Sequence, residues 1–230
     1  MKRGLTKAYV ISEAIRLVEE EGYEKISLRD LSRRLDVKPA SLYNHISGIG
    51  EILREVAIYS AEQMCLALKA ATEGKEKREA FVDGALAYRR FATEHPELYK
   101  AFISMPSLDD SEVDEVGIKS FAPLRDLIYS YLPDEKDSTN FHRAFRSVIH
   151  GFIELTTSGY MTRGNVSQDD TFLVILNTYL SYLESMAASV YNSQNIRGDE
   201  SARQTVAQIS VNAENGAELP TRVKEKEGKG

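Results

Sequence analysis

The chain contains, between Ser27 and His45, the stretch SLRDLSRRLDVKPASLYNH, whose pattern predicts two short amphipathic helices with a three-residue break between them. Ser27 suits the N-cap of the first helix, and Asp30 completes a capping box in which the two side chains satisfy two backbone donors. Leucines recur at helical spacing on one face and arginines occupy other faces: Leu28, Leu31 and Leu35 against Arg29, Arg33 and Arg34. This helix therefore has an apolar side that packs and a basic side that stays in water.

The break, residues 36–38, needs a residue that adopts a left-handed backbone. Asp36 suits this position, because Asp is one of the few residues other than Gly that are enriched there. Pro39 follows, where its fixed φ and missing N–H fit the first turn of a new helix. We predict this second helix from Pro39 to about Ile46, with Leu42 and Ile46 facing inward. A helix this short needs support from its neighbours, and its size suits the major groove of DNA.

Longer helices are predicted on both sides of this stretch. Residues 5–21 place apolar side chains at the helical period, and Gly22 is suited to the end of that helix. On the other side, a turn over residues 47–50 precedes a long helix that we expect to begin at Glu51. Residues 1–50 are therefore predicted to form a three-helix bundle with a helix-turn-helix, and the long helix connects that bundle to the rest of the chain.

Residues 5–53, with ISLRDLSRRLDVKPASLYNHI at their centre, resemble the DNA-binding domain of TetR-type transcriptional regulators. The helix lengths agree, and so does the Leu-Tyr-x-His pattern at the end of the second helix. Residues 147–152, SVIHGF, look like the Trp-x-x-His-Gly helix found in one subgroup of the family's C-terminal domains, with Arg146 or Ser147 near the place of the Trp. Three positions depart from the family pattern. Asp36 stands where the family usually has Gly, Lys38 where it has a small hydroxyl residue, and Ile49 where it has Lys.

Charge is unevenly distributed along the chain, whose formal net charge is −6. Residues 1–50 contain nine Lys or Arg and seven Asp or Glu, whereas residues 51–230 contain twenty and twenty-eight. Between Lys25 and His45 there are five basic and two acidic residues. This distribution predicts a small positive surface on an acidic body, as a nucleic-acid-binding head requires.

The composition indicates a globular protein, since 230 residues with 42% hydrophobic content can bury a substantial core. The apolar stretches fall short of the roughly 18 residues of a membrane span, and the N-terminus has no apolar signal segment, so we expect a soluble cytoplasmic protein. The single cysteine, Cys65, excludes an internal disulfide and a cysteine-based metal cluster, and we expect it to be a buried apolar side chain. We expect neither a metal nor a cofactor.

The pattern after Gly74 is helical almost throughout, which predicts an all-α fold with a larger helical domain over residues 51–191. Helices are predicted at residues 76–94, 95–104, 111–132, 137–163 and 167–191. Residues 192–230 are polar and lack aromatic side chains, which indicates a flexible tail with one weak helix at residues 200–211. A structural or partner-docking role for this tail stays open.

The last two predicted helices are apolar enough to face both their own core and a second surface. Pairing with the same helices of another copy would form a four-helix bundle and a two-fold homodimer, as the resemblance also implies. The alternative, that both apolar stripes are ordinary core, stays open. The predicted interface residues are Phe145, Phe152, Phe172, Leu176, Tyr179, Leu180 and Leu183.

An all-helical domain with aromatic and a few polar groups can enclose a ligand between its helices. The resemblance implies that a small-molecule effector binds there and moves the DNA-binding heads. The candidate effector-binding residues are Tyr88, Phe91, Phe102, Phe121, His150 and Thr157. Each of these residues also fits a plain core, and His150 also fits a core histidine bonded to a carbonyl.

These features together predict a one-component transcriptional regulator, a repressor that binds double-stranded DNA as a dimer and is released by its effector. One short helix reads few base pairs, so two copies spaced by roughly 34–36 Å would read a palindrome. The helix start at Pro39 belongs to the same predicted surface. Candidate phosphate contacts are Ser27, Lys38, Ser41, Tyr43 and His45, and candidate base contacts are Arg29, Ala40 and Asn44.

The sequence also bears on two other classes of protein. An enzyme is disfavoured because the chain has no His-Glu-x-x-His, no Gly-x-Ser-x-Gly and no phosphate-cradling Gly loop, and because His142 and His150 have no third ligand in register. The alternative is a helical ligand-sensing or protein-docking dimer that does not bind DNA, which Lys38 and Ile49 make conceivable.

Overall fold

A computed structural model describes residues 4–162 and 165–198, and all regular structure in this part of the chain is helical. The predicted all-α class is confirmed. The polar tail from residue 199 onward, with the weak helix predicted at residues 200–211, lies outside the described residues. None of the described helices combines the length and the apolar character that crossing a bilayer requires.

The N-terminal bundle, called the head here, consists of α1 (Lys7–Glu21), a 3-10 turn (Tyr23–Lys25), α2 (Leu28–Arg34) and α3 (Pro39–Leu42). The hydroxyl of Thr6 caps α1 by accepting from the backbone N–H of Tyr9 at 3.2 Å. Gly22 ends α1 at φ 110°, a conformation that favours glycine. The fully or almost fully buried side chains of the head are Val10, Ala14, Leu17, Val18, Leu31, Leu42 and Ile46.

Helix α4 (Ile49–Thr72) is the central element, because it contacts α1 of the head and also the helices α5, α6, α7 and α8 that follow it. It begins two residues before the predicted start at Glu51. The carboxylate of Glu51 reaches back to accept from the backbone N–H and the hydroxyl of Ser47, at 2.6 and 2.8 Å, and so closes the first turn. Cys65 lies on this helix and is half-buried, whereas a buried side chain was expected.

The remaining helices, called the body together with α4, are α5 (Lys77–Glu94), α6 (Pro96–Ile103), α7 (Ser111–Ser120), α8 (Ala122–Tyr131), α9 (Glu135–Thr157) and α10 (Gln168–Gly198). The single helix predicted over residues 111–132 is wrong, because the structure divides it into α7 and α8 at Phe121. Pro123 lies in the first turn of α8, where its missing N–H and its ring favour a new helix over a continued one.

The helix predicted over residues 137–163 also has different ends. The carboxylate of Asp134 accepts from the N–H of Asp137 at 2.9 Å, so α9 begins at Glu135. It stops at Thr157, because Gly159 has a φ of 78° that terminates the helix. The N-cap predicted at Ser167 is present, since its hydroxyl accepts from the N–H of Asp170 at 3.0 Å, but the carboxylate of Asp170 accepts from that hydroxyl and not from the backbone of Ser167. Helix α10 continues to Gly198, beyond the predicted end at residue 191.

The contact pattern groups residues 1–184 into one compact unit, and a second unit begins at Ser185 within α10. In the first unit α10 packs on α9 through aromatic pairs. The ring centroids of Phe152 and Phe172 are 5.0 Å apart, and those of Phe145 and Tyr179 are 5.2 Å apart. The guanidinium of Arg89 on α5 lies 4.9 Å from the ring centroid of Phe172, which joins a third helix to this pair.

Candidate DNA-binding surface and ligand cavity

The turn between α2 and α3 has the left-handed residue that the sequence predicts. Asp36 has a φ of 54°. Its N–H donates to the carbonyl of Arg33 at 3.2 Å, and the N–H of Val37 donates to the carbonyl of Ser32 at 3.0 Å. These two bonds form a Schellman motif, which satisfies the last carbonyls of α2 and turns the chain towards α3.

The cap at the start of α2 differs in part from the predicted capping box. The hydroxyl of Ser27 accepts from the backbone N–H of Asp30 at 3.2 Å, as expected. The carboxylate of Asp30, however, accepts from that same hydroxyl at 2.5 Å, not from the backbone of Ser27. Hydrogen bonding by Ser27 lowers the pKa of Asp30, and Arg33 adds to this effect. The Ser27 hydroxyl is therefore occupied by the cap.

Helix α3 is shorter than predicted, because its α-helical part ends at Leu42 and residues 43–45 form a turn. The carbonyl of Leu42 accepts from the N–H of His45 at 2.8 Å and from that of Ile46 at 3.0 Å, so the backbone tightens there. This tightening brings Ile46 into the core, where it is 3% exposed. The segment from Pro39 to His45, which is this short helix and the turn that follows it, is called the ridge here.

The ridge faces away from the head's core. Tyr43 is 59% exposed, and Lys38, Pro39, Ala40 and Asn44 are also exposed. Of the other candidates for DNA contact, Arg29 is exposed and Ser27, Ser41 and His45 are half-buried. The segment from Pro39 to His45 thus offers exposed side chains that a duplex can reach, and Arg29 is exposed on the neighbouring helix α2.

The basic side of α2 is smaller than the sequence suggests. Arg34 donates to Glu13 at 2.8 Å and to Glu20 at 2.9 Å, so it joins α2 to α1, although it stays exposed to water as predicted. Arg33 donates to Asp30 at 2.6 Å. The cations of this stretch that form no described ion pair are Lys25, Arg29 and Lys38.

Polar contacts join the head to α6 of the body, and sequence reasoning did not find them. The carboxylate of Glu97 accepts from the N–H of Tyr23 at 2.8 Å, and the hydroxyl of Ser104 donates to the Tyr23 hydroxyl at 3.2 Å. A third contact joins Glu19 to Nδ1 of His95 at 2.8 Å. These pairs are 74 to 81 residues apart along the chain, so no local pattern indicates them.

The body contains a cavity of about 690 Å³ between α5, α6, α7 and α9. One wall is aromatic or aliphatic, and the other is a polar stripe of α9. The lining residues are Tyr88, Phe102, Ile103, Met105, Pro106, Asp114, Gly117, Ile118, Phe121, Arg143, Arg146, Ser147 and His150. This volume lies within the usual range for small-molecule sites, roughly 300–1,000 Å³.

An ordered hydrogen-bond chain joins two residues of the lining, His150 and Tyr88, through Tyr99 on α6. Nδ1 of His150 lies 2.8 Å from the hydroxyl of Tyr99, which lies 3.2 Å from the hydroxyl of Tyr88. Burial raises the pKa of both phenols, so both stay protonated at neutral pH. Next to them the guanidinium of Arg146 lies 3.8 Å from the ring centroid of Phe121.

Four of the six candidate effector residues line this cavity, namely Tyr88, Phe102, Phe121 and His150. Phe91 does not, because it faces a separate depression with Glu19 and Leu98. Thr157 does not either, since it lies in the last turn of α9 and its hydroxyl donates to the carbonyl of Ile153 at 2.9 Å. Arg143, Arg146 and Ser147 were missed, although their spacing with His150 places all four on one helical face.

His142 is the other histidine of α9, and it lies 5.7 Å from Phe121 between ring centroids. Burial, and to a smaller extent the charges of Arg146, Arg125 and Arg143, together lower its pKa to about 4. Its Nε2 is buried without a described hydrogen-bond partner. His142 is therefore neutral at neutral pH, next to the arginines of the cavity wall.

Most residues of the predicted dimer interface lie inside their own chain. Six of its seven residues are at most 3% exposed, because they fill the core between α9, α10 and α5 of their own chain: Phe145, Phe152, Phe172, Leu176, Leu180 and Leu183. Tyr179 is half-buried. The exposed apolar side chains of the same two helices lie on other faces, and they include Leu155, Leu173, Val174 and Tyr182.

Comparison with known proteins agrees with this geometry. The profile described as "Bacterial regulatory proteins, tetR family" matches residues 10–56, and the one described as "Tetracyclin repressor-like, C-terminal domain" matches residues 81–179. The HTH-type transcriptional regulator Rv0681 of Mycobacterium tuberculosis is 29% identical over 158 residues, 68% of this chain and 72% of that protein.

Two solved structures share the fold. The crystal structure of BioQ with its double-stranded DNA operator has a TM-score of 0.58 and 19% identity, and the match covers 79% of this chain and 99% of BioQ. The structure of ActR from Streptomyces coelicolor in complex with (S)-DNPA has a TM-score of 0.57 and 17% identity, and covers 80% and 98%. The two profiles match the head and the body in that order along the chain. The chain therefore belongs to the TetR family of bacterial transcriptional regulators.

Proposed function

We propose that the protein is a dimeric repressor that binds a palindromic operator through its two heads and leaves it when a small molecule fills the cavity. The observation that carries this proposal is the exposed ridge from Pro39 to His45, which lies on the Schellman turn at Asp36 and beside the exposed start of α2. An exposed helical ridge of this kind fits the major groove. The alternative is a ligand-sensing or protein-docking dimer that does not bind DNA.

The head has groups suited to both kinds of DNA contact. Lys38 and Tyr43 are exposed at the ends of the ridge and can donate to phosphates, as can the half-buried Ser41 and His45. Arg29, Ala40 and Asn44 are exposed where base edges would lie. Few cations of this stretch are outside the ion pairs described above, so we expect moderate salt dependence per head and a strong requirement for two heads.

Helix α6 offers a route from the cavity to the head. Its C-terminal part and the 3-10 turn after it line the cavity with Phe102, Ile103 and Met105. Its N-terminal part holds the head through Glu97 and His95. A ligand that moves α6 therefore moves the contact points of the head, which is the differential interaction that an effector needs.

The second copy is expected on the exposed apolar faces of α9 and α10. Leu155, Leu173, Val174 and Tyr182 are 43–65% exposed, and they replace the buried residues first predicted. Pairing of these two helices with their symmetry mates forms a four-helix bundle. It also leaves both heads free to reach one duplex.

Selection of bound sequences from a pool of random duplexes tests the proposal. We expect the selected sites to share two inverted half-sites, and a footprint on the best site to show two protected segments about one helical turn apart. The mass of the complex in solution should correspond to an even number of chains. Failure to enrich any sequence, with an intact dimer in the same solution, would favour the alternative that does not bind DNA.

A further inference from the structure

We propose that the ligand of the cavity is an amphipathic monoanion, with a medium-sized apolar body and one carboxylate that binds at Arg146 and Arg143. This inference rests on the proposed function and names the chemical class of its effector. Three features of the cavity support it: two arginines that form no ion pair within the described part of the chain, an ordered donor chain, and an apolar wall that is partly exposed.

The first feature is the positive stripe of α9. Arg143 and Arg146 are three residues apart and both line the cavity. Among the described residues, neither forms an ion pair, whereas Arg34, Arg54, Arg78 and Arg89 all do. Stacking on Phe121 holds the guanidinium of Arg146 in place, and the Tyr88 hydroxyl, with which Arg146 also interacts, takes up only part of its five N–H donors. A planar guanidinium binds a carboxylate with two parallel hydrogen bonds, so these arginines favour an anion.

The second feature is the chain from Tyr88 through Tyr99 to His150. When the two hydroxyls donate towards the histidine, Nδ1 accepts and the remaining ring proton is on Nε2. His150 lines the cavity seven residues after Arg143, on the same face of α9. It can therefore supply a third donor to an oxygen that Arg146 binds.

The third feature is the apolar wall opposite the arginines. Ile118 is 64% exposed and Ile103 is 36% exposed, although both line the cavity, and Phe102 and Met105 lie beside them. Phe102 and Met105 are already buried, so an apolar body would remove mainly Ile118 and Ile103 from water, which is favourable in proportion to the area buried.

Asp114 limits the negative charge that a ligand of this cavity can carry. It is exposed and lines the same cavity, so the described lining side chains with permanent charge are two cations and one anion. A second negative charge on the ligand would approach Asp114 and be repelled. One carboxylate therefore fits the cavity better than a phosphate dianion.

Calorimetric titration of the DNA-free dimer with matched probes tests this inference. One set is decanoate, 1-decanol and decylamine, and the other is 2-naphthoate, 2-naphthol and 2-naphthylmethylamine, each below its aggregation concentration. We expect the carboxylate to bind at least tenfold more tightly than its alcohol in one of the two sets, since hydrogen bonds to charged groups give about that factor or more. If no carboxylate binds more tightly than its alcohol, the proposal is wrong.

Three variants locate the site. Arg146→Gln should weaken the preferred carboxylate by about tenfold or more and change the affinity of its alcohol by less than about twofold. Arg143→Gln should also weaken binding of the carboxylate more than binding of the alcohol. Because the Arg143 side chain is exposed, we expect this variant to fold even if Arg146→Gln does not. Arg125→Gln makes the same charge change on α8, outside the cavity, and should leave binding unchanged. Equal loss in all three variants, or no loss in the first two, would contradict the proposal.

The outcome separates this inference from the proposed function. Binding of a carboxylate through Arg146 without any effect on operator binding would support the ligand class and contradict effector release. Release of the operator by the neutral or amine probes alone would contradict the ligand class and support the regulation.

Discussion

The head and the cavity are built from different kinds of sequence information. In the head, each decisive feature depends on residues close together in the chain, such as Ser27 with Asp30, or Asp36 with Arg33. The cavity combines side chains from Tyr88 to His150, which four helices bring together. The residues of a local motif have a fixed spacing in the sequence, whereas the residues that line a cavity can be substituted one at a time. The head is therefore easy to recognise, and the ligand is specified by residues that no motif marks.

A matched pair of substitutions by valine sharpens this comparison, beginning in the body. A Cβ atom at Gly84 on α5 would lie 2.8 Å from Cδ2 of Leu124 on α8 and 3.0 Å from Cγ2 of Thr72 on α4. Gly84→Val should therefore lower the free energy of unfolding by about 1–3 kcal/mol, measured by urea denaturation. An unchanged or higher stability would show that α5 and α8 pack less closely than described. Helix propensity alone would favour replacing this glycine, so the sign of the effect separates long-range packing from local preference.

The partner substitution lies in the head. Asp36→Val places a β-branched side chain at a φ of 54° and should cost about 1–2 kcal/mol, because left-handed backbone is disfavoured for such residues. Asp36→Gly is the control, since glycine adopts this conformation freely and the Schellman bonds can persist. Equal urea midpoints for the valine and glycine variants would mean that the turn is not left-handed in solution.

The sequence predicted the local features well and the long-range ones poorly, for a physical reason. The left-handed Asp36, the first turn at Pro39 and the cap at Ser167 depend on bonds within five residues, and all three are present. The break at Phe121 was missed because the helical period continues across it. The ion pairs of Arg34 were missed because its partners Glu13 and Glu20 lie on another helix. The apolar stripes of α9 and α10 were real, but whether a stripe faces its own core or a second copy depends on how the helices pack.

A smaller effect concerns the junction of the head with α4. The hydrogen bond from Lys7, followed by the bonds from the backbone and the hydroxyl of Ser47, lowers the pKa of Glu51 from an ordinary value of 4.5 to about 2. This stabilisation is fully present above pH 4.5 and is lost as pH falls towards 2.

Glu51→Gln removes this contribution. Because Lys7 is half-exposed, we expect the variant to be less stable by only about 0.2–1 kcal/mol at pH 7. Urea denaturation at pH 7, 5 and 3 should show the difference between the two proteins narrowing as pH falls. A difference that stays constant over this range would mean that the charge of Glu51 contributes nothing.

The central claim is that the ridge from Pro39 to His45 is the surface that meets DNA, and the affinity of Tyr43→Ala for a selected operator duplex tests it most directly. Tyr43 is 59% exposed, so its truncation should leave the unfolding curve unchanged, and Tyr129→Ala, at a residue 52% exposed on α8, is the matched control. Fluorescence anisotropy should show affinity for the duplex weakened by about tenfold or more in Tyr43→Ala, since two heads each lose a contact to a charged group, and unchanged in Tyr129→Ala. Equal affinity of the wild-type protein and Tyr43→Ala would contradict the placement of the DNA-binding surface.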